Sequence, residues 1–246
     1  MYHFFAIPEN IGQDTIVIEG MDVNHIKNVL RLKTDDELLI SDGTGTDYIC
    51  SIKEISDQEI LCNIKEKGSA GTESSVSFYL FQGLPKSDKL EFIIQKSVEL
   101  GVYEIIPTAT KRSIVKYDPK KLKAKLERWQ KISEGAAKQS RRGIVPEVKN
   151  VMTLKEALKY AGQLDLVLIP YENFKDMKVT KEILSDIKPG MRVGIFIGPE
   201  GGWAPEEIEE AVSSAAARPI SLGSRILRTE TAPVMLLSVL TFNLEN

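Results

Sequence analysis

The hydrophobic pattern changes character once along the chain. In the first seventy or so residues it has the short period of strands: Thr15 to Glu19 and Glu59 to Lys65 alternate, and Glu37 to Ile40 and Tyr48 to Ile55 are strand-like. Asp42-Gly43-Thr44-Gly45 supplies a hairpin turn. Asp22 to Leu30 fits a short helix with Asp22 as its N-cap. A small β-barrel module is the natural architecture for such a pattern. The small, polar run Lys67 to Thr72 marks a boundary that divides residues 1–71 from 72–246.

From Val76 onward, strands alternate with helices. Val76 to Leu84 reads as a strand, followed by a helix with Leu90, Ile93, Ile94 and Val98 on one face and a stop at Gly101. Glu104 to Pro107 is the next strand, and Pro119 to Gln139 a long basic helix with Leu122, Leu126, Trp129, Ile132 and Ala136 inward. Thr153 and Glu156 form a capping box, and Leu164 to Ile169 is a buried strand. Met191 to Ile197, bounded by Gly190 and Gly198, is another. Pro205, Glu206 and Glu207 open a helix with Ile208, Ala211, Val212 and Ala215 on one face. After a strand at Pro219 to Leu222, Thr231 caps a last helix with Val234, Leu237, Leu240 and Thr241 on one side. This alternation predicts an α/β fold, a mainly parallel sheet with helices on both faces.

Three loops then leave one edge of that sheet: Pro170 to Asn173, Gly198 to Trp203, and Gly223 to Glu230. Open α/β sheets bind ligands at this edge. The middle loop has three glycines in five positions, which lets backbone approach a ligand closely. It carries Glu200 and no Lys-Ser/Thr pair, and no GxGxxG pattern is present, so a phosphate cradle is disfavoured. A close-packed neutral or cationic ligand, such as an adenosine joined to a sulfonium, suits it better. The competing reading is that these are tight turns.

Composition, at 42% hydrophobic and 27% charged residues, is that of an ordinary globular protein. The N-terminus has no signal-peptide pattern and no apolar run is long enough to span a bilayer, which predicts a cytoplasmic protein. Cys50 and Cys62 read as reduced buried thiols, and His3 and His25 have no metal-site companions, so no metal is expected. The net charge of −3 conceals an asymmetry: residues 1–72 carry −7, and Lys111 to Arg142 carry +9. Such a basic run suits a polyanion or is a solvated helix face.

HIKNVLRLK, LPKSDKLEFIIQKSVELGV, RWQKISEGAAKQSRR, GPEGGW and LGSRILRTETA, five segments in the right order that span nearly the whole chain, together resemble the SPOUT-class enzymes that methylate N3 of a uridine in bacterial small-subunit (16S) ribosomal RNA. The resemblance implies a PUA-like RNA-binding module in front of a trefoil-knotted SPOUT domain, S-adenosyl-L-methionine as cofactor, and a homodimer acting on 16S rRNA or the small ribosomal subunit. It implies that backbone groups of Ile197, Gly198, Gly201, Gly202, Leu222, Gly223, Ile226 and Leu227 cradle the cofactor, with Pro170 and Tyr171 opposite and Glu200, Arg228 and Thr229 adjoining.

Within that frame Arg228 is expected to hold the uracil oxygens or a phosphate. Glu230 is either the proton acceptor or a carboxylate that stabilises the last helix. Arg225 is expected to pair with Glu200 or contact RNA. Lys27, Arg31 and Lys33 in the first module, and Arg112, Lys138, Arg141 and Arg142 in the basic run, are the expected RNA contacts. Related chemistry at a ribose 2'-hydroxyl, or a non-catalytic RNA-binding role, are the alternatives.

Overall fold

The computed structural model describes residues 1–113 and 118–244. The chain forms two compact units, Met1–Glu73 with Ala137–Val145, and Ser74–Ala136 with Pro146–Asn246.

In the first unit, β1 (Tyr2–Phe5), β2 (Thr15–Glu19), β3 (Glu37–Ser41), β4 (Thr46–Ile55) and β5 (Glu59–Ser69) make one sheet in the order β1-β3-β4-β5-β2. Alternation puts Ile16, Ile18, Leu38, Ile40, Ile52 and Ile60 on its buried face. β1, too short to show a period, was not expected as a strand; it is held by parallel pairing to β3. At the β3–β4 turn, Asp42 accepts from the Thr44 and Thr46 amides while Gly43 takes a φ of +74°. The helix α1 (Met21–Asn24) starts after Gly20 and runs into a π-helical turn over His25–Val29. Asp22 therefore lies inside the first turn and is not the N-cap. Cys50 and Cys62 are both free and buried, and burial pushes their thiols up to about 11 and about 12.

The returning segment 137–145 closes this unit. The Arg142 guanidinium, 3% exposed, meets the Glu73 carboxylate at 2.5 Å, and the same carboxylate accepts from the amides of Gly143 and Ile144. A Cβ on Gly143 would stand 2.1 Å from that of Ala70, so only glycine permits this approach.

The second unit contains β6 (Ser77–Gly83), α2 (Lys89–Glu99), β7 (Val102–Ala109), most of α3 (Pro119–Gln139), β8 (Glu147–Val148), β9 (Met152–Thr153) and α4 (Leu154–Ala161). It continues with β10 (Leu166–Pro170), α5 (Met177–Ser185), β11 (Arg192–Ile197), α6 (Pro205–Ala215), β12 (Arg218–Ile220) and α7 (Thr231–Leu244). The sheet order is β12-β10-β11-β6-β7-β8, with β9 also on β7, and these pairings are parallel. β6 and β11 are apolar on both faces and buried on both, as a central parallel strand requires. Gly194 leaves room for Leu164 and for the Phe81 ring, which a Cβ there would approach to 3.0 and 3.3 Å, and Phe81 stacks on Phe196 with ring centroids 4.3 Å apart.

Three details of the helices depart from expectation. Val212 is 44% exposed, so the inward face of α6 is Ile208, Ala211 and Ala215. α7 buries Ala232, Pro233, Leu236, Leu237 and Leu240, with Val234 only half-buried, and Thr231 is already helical. Its first turn is closed by the Arg228 carbonyl, which accepts from the Thr231 and Ala232 amides. α5 was not expected; Asp176 caps it by accepting from the Lys178 and Val179 amides. Among the described residues, no helix is long and apolar enough to cross a membrane.

Candidate functional site

Because β12, β10 and β11 are adjacent and parallel, the loops after their C-terminal ends converge. The β11 loop turns through a hydrogen bond from the Gly202 amide to the Pro199 carbonyl, with Gly202 at a φ of +65°. A Cβ on Gly202 would lie 3.0 Å from the Glu172 carboxylate, and one on Gly198 3.3 Å from the Trp203 ring. The β10 loop is tied to β12 by the Tyr171 amide, which donates to the Ile220 carbonyl. The β12 loop starts with the Ser221 amide donating to the Thr180 hydroxyl, so the unforeseen α5 anchors it.

One buried chain of hydrogen bonds locks two of the loops together. Gln82, at the end of β6, donates its amide to the Thr229 hydroxyl at 3.0 Å, and that hydroxyl donates to the Gly198 carbonyl at 2.7 Å. Gln82 and Thr229 are both buried. The three loops enclose a cavity of about 440 Å³, within the range of small-molecule and cofactor sites.

Pro170, Tyr171, Ile197, Gly198, Glu200 and Gly202 line this cavity, and so do Leu222, Gly223, Ile226, Leu227, Arg228 and Thr229. Gly201 does not; it faces Arg112, whose guanidinium donates to the Gly201 carbonyl at 2.7 Å. Ile226 is 84% exposed at the cavity's rim.

Residues 72–241 match the family described as the RNA methyltransferase domain, and residues 18–65 match the RNA methyltransferase PUA domain. The ribosomal RNA small subunit methyltransferase E of Bacillus subtilis is 37% identical over 94% of this chain and 91% of its own length. The chain belongs to the ribosomal RNA small subunit methyltransferase E family. A crystal structure of the Neisseria gonorrhoeae member of this family, bound to S-adenosyl methionine, is 31% identical, with a TM-score of 0.84 over 99% of this chain and 98% of that one. A Legionella pneumophila structure in complex with the cofactor SAM is 30% identical, with a TM-score of 0.83 over 98% and 97%. The PUA-like first unit and the parallel-sheet second unit are thus those of the family.

Residues that sequence reasoning missed also border the cavity, among them Lys89, Glu172, Phe174, Lys175 and Trp203. Lys89, at the first position of α2, bridges Glu200 at 3.1 Å and Glu230 at 3.2 Å. This corrects the expected Arg225–Glu200 pair: the Glu200 carboxylate is held instead by Lys89 and by the Lys86 amide. Burial opposes the Glu200 charge, yet hydrogen bonds from its own amide, from Lys89 and from the Lys86 amide keep its carboxyl below the usual range, and hydrogen bonding to Glu200 lifts the Lys89 ammonium above its own. Glu230 also lies 4.0 Å from the Arg228 guanidinium, which is 82% exposed. The LPKSDK segment carried the signal for Lys89: a lysine in the first helical turn, where the helix dipole disfavours a cation, needs carboxylate partners.

The expected RNA contacts fall into two groups. Arg31, Lys33 and Arg141 are exposed. Others already have partners: Lys27 pairs with Asp57, and Lys138 with Asp22 at 2.7 Å. Arg142 is buried on Glu73, so it is not available to a phosphate. Lys116 of the basic run lies outside the described residues.

The chemistry of the cavity fits S-adenosylmethionine. Bare glycine backbone at Gly198 and Gly202 admits close approach, Leu222, Leu227 and Ile226 offer apolar walls for a nucleobase, and both carboxylate and cationic side chains face one space, as a zwitterion with a sulfonium requires. The indole nitrogen of Trp203, beside Gly198, is a buried donor with no hydrogen-bond partner among the described residues.

Proposed function

We propose that the protein transfers a methyl group from S-adenosylmethionine to N3 of a uridine in the 16S RNA of the small ribosomal subunit. The observation that carries this reading is the cavity at the C-terminal edge of β10, β11 and β12, whose two glycine loops are joined through Thr229 and Gly198. Membership of the family and the cofactor-bound relatives support it.

S-adenosylmethionine supplies an electrophilic methyl on a positive sulfur. Backbone groups of Ile197, Gly198, Leu222, Gly223, Ile226 and Leu227 hold it, with Pro170 and Tyr171 closing the far wall. The uracil N3–H is weakly acidic and must lose its proton for the nitrogen to attack. Arg228, exposed at the cavity, binds O2 or O4 and favours the negative charge that develops there. Glu230 accepts the proton. Holding nitrogen and methyl in line removes roughly 7–11 kcal/mol of barrier, so positioning is the main contribution of the chain.

The first unit and the exposed Arg31, Lys33 and Arg141 grip RNA phosphates in this reading, and the enzyme works as a cytoplasmic homodimer through α7, where Phe242 is 73% exposed. Titration of the protein with S-adenosylmethionine in a calorimeter, then incubation with unmodified small subunits and nucleoside analysis, tests it. Saturable binding and 3-methyluridine are expected. A different methylated nucleoside overturns the uridine assignment, and absence of binding overturns the site. Loss of activity on dilution, matched to sedimentation, tests the dimer.

A further inference from the structure

Two carboxylates from different loops share one cation beside the cavity: Glu200 lines it, and Glu230, next in the chain to the lining residue Thr229, stands behind the lining with its Oε2 buried and held by no hydrogen bond among the described residues. Glu200 comes from the loop after β11 and Glu230 from the loop after β12, and the Lys89 ammonium reaches both, at 3.1 Å and 3.2 Å. Lys89 is itself part of the cavity lining, and the three side chains are only 32%, 27% and 19% exposed. Glu200 is further fixed by the Lys86 amide, so the segment entering α2 grips the β11 loop at two points.

We infer that Lys89 is a positioning residue for the methyl-transfer step: by bridging Glu200, which lines the cavity, and Glu230, it fixes the Glu230 carboxylate beside the cavity wall. The inference rests on the reading of Glu230 as proton acceptor. The division of labour follows from the other lock. Gln82, Thr229 and the Gly198 carbonyl join the same two loops through buried hydrogen bonds in the cavity wall, without Lys89. Removing the Lys89 charge leaves that interior lock in place and releases Glu230, whose other cationic neighbour, Arg228, stands at 4.0 Å on an exposed side chain. A carboxylate that wanders by an ångström loses much of its use as a base, because proton transfer needs hydrogen-bond reach. The lysine therefore acts on turnover and not on cofactor affinity.

The experiment compares Lys89→Met, Lys89→Arg, Glu230→Gln and the double variant Lys89→Met/Glu230→Gln in the full-length protein. Calorimetry gives the S-adenosylmethionine Kd, and initial rates on small subunits give kcat and KM. The expected result is a kcat at least about ten-fold lower in Lys89→Met, within the contribution of a positioned base, with the cofactor Kd within about three-fold of wild type. Lys89→Arg, which can bridge two carboxylates, recovers most of the rate. The double variant is no slower than Glu230→Gln alone, since the lysine acts through that residue. A wild-type rate in Lys89→Met while Glu230→Gln is inactive overturns the inference and leaves the proton-acceptor reading intact. A wild-type rate in Glu230→Gln overturns both. A parallel fall of kcat, cofactor affinity and thermal midpoint in Lys89→Met assigns the lysine to structure alone and also overturns the inference.

Discussion

The glycine loops of the second unit and the basic residues of the first and of α3 were equally prominent in the sequence, but they fare differently in the fold. The loops converge on one cavity because their glycines are demands of the backbone, and a backbone demand is met where it occurs. The charges are long-range: Lys27 finds Asp57, Lys138 finds Asp22 and Arg142 finds Glu73, each far away along the chain. A count of charges in a window therefore overstates the charge offered to a polyanion, whereas a glycine pattern states its site directly.

The sharpest way to break this contrast is at Arg142. Arg142→Ala leaves the Glu73 carboxylate without its buried cation, and a loss of about 3–5 kcal/mol of stability is expected, read from the urea midpoint. If the residue instead served as a phosphate contact, stability would hold and the salt dependence of RNA binding would flatten by about one unit of slope. Next in size is Gly202→Val. Positive φ and the nearby Glu172 carboxylate both oppose a β-branched residue there, and a roughly 100-fold weaker S-adenosylmethionine Kd is expected by calorimetry. A folded Gly202→Val protein with unchanged affinity would remove the β11 loop from the site.

Thr229→Val cuts the hydrogen-bond chain between Gln82 and Gly198 while keeping the shape of the side chain. A weakening of cofactor binding by about ten-fold is expected, from the roughly 1–3 kcal/mol of a buried polar group left unpaired. Unchanged binding would mean that the two loops hold their register without it. The smallest effect concerns His3, whose ring meets the Ser41 hydroxyl at 2.6 Å and whose pKa burial lowers below 6.5. The unfolded chain then binds a proton that the folded one refuses. Stability is expected to be complete above about pH 6.5 and to decline as pH falls below it, and His3→Gln should flatten that part of the curve. A decline that persists unaltered in His3→Gln would place the titration elsewhere.

The legible part of the fold was the part written in period and in glycine. The buried runs of β6 and β11, the face of α2 and the Thr153–Glu156 capping box all formed where their residues implied. What escaped was structure that depends on distant partners. β1 is a strand only because β3 lies beside it, α5 has one inward edge of Thr180 and Ile183, and Glu200 faces a lysine from another element. Family resemblance supplied the cofactor and substrate class that the loops alone left open between a binding site and a set of turns.

The first unit is built from two stretches separated by Ser74–Ala136. On the ribosome, translation at roughly 5–20 residues per second leaves the leading sheet waiting several seconds for its closing segment. During that interval Glu73 has no guanidinium to meet and Ala70 no Gly143 to pack on. Nascent chains arrested before residue 137 should therefore be protease-sensitive in this region, and those arrested well beyond residue 145 resistant. A gene fragment that ends before residue 137 would keep the same defect permanently.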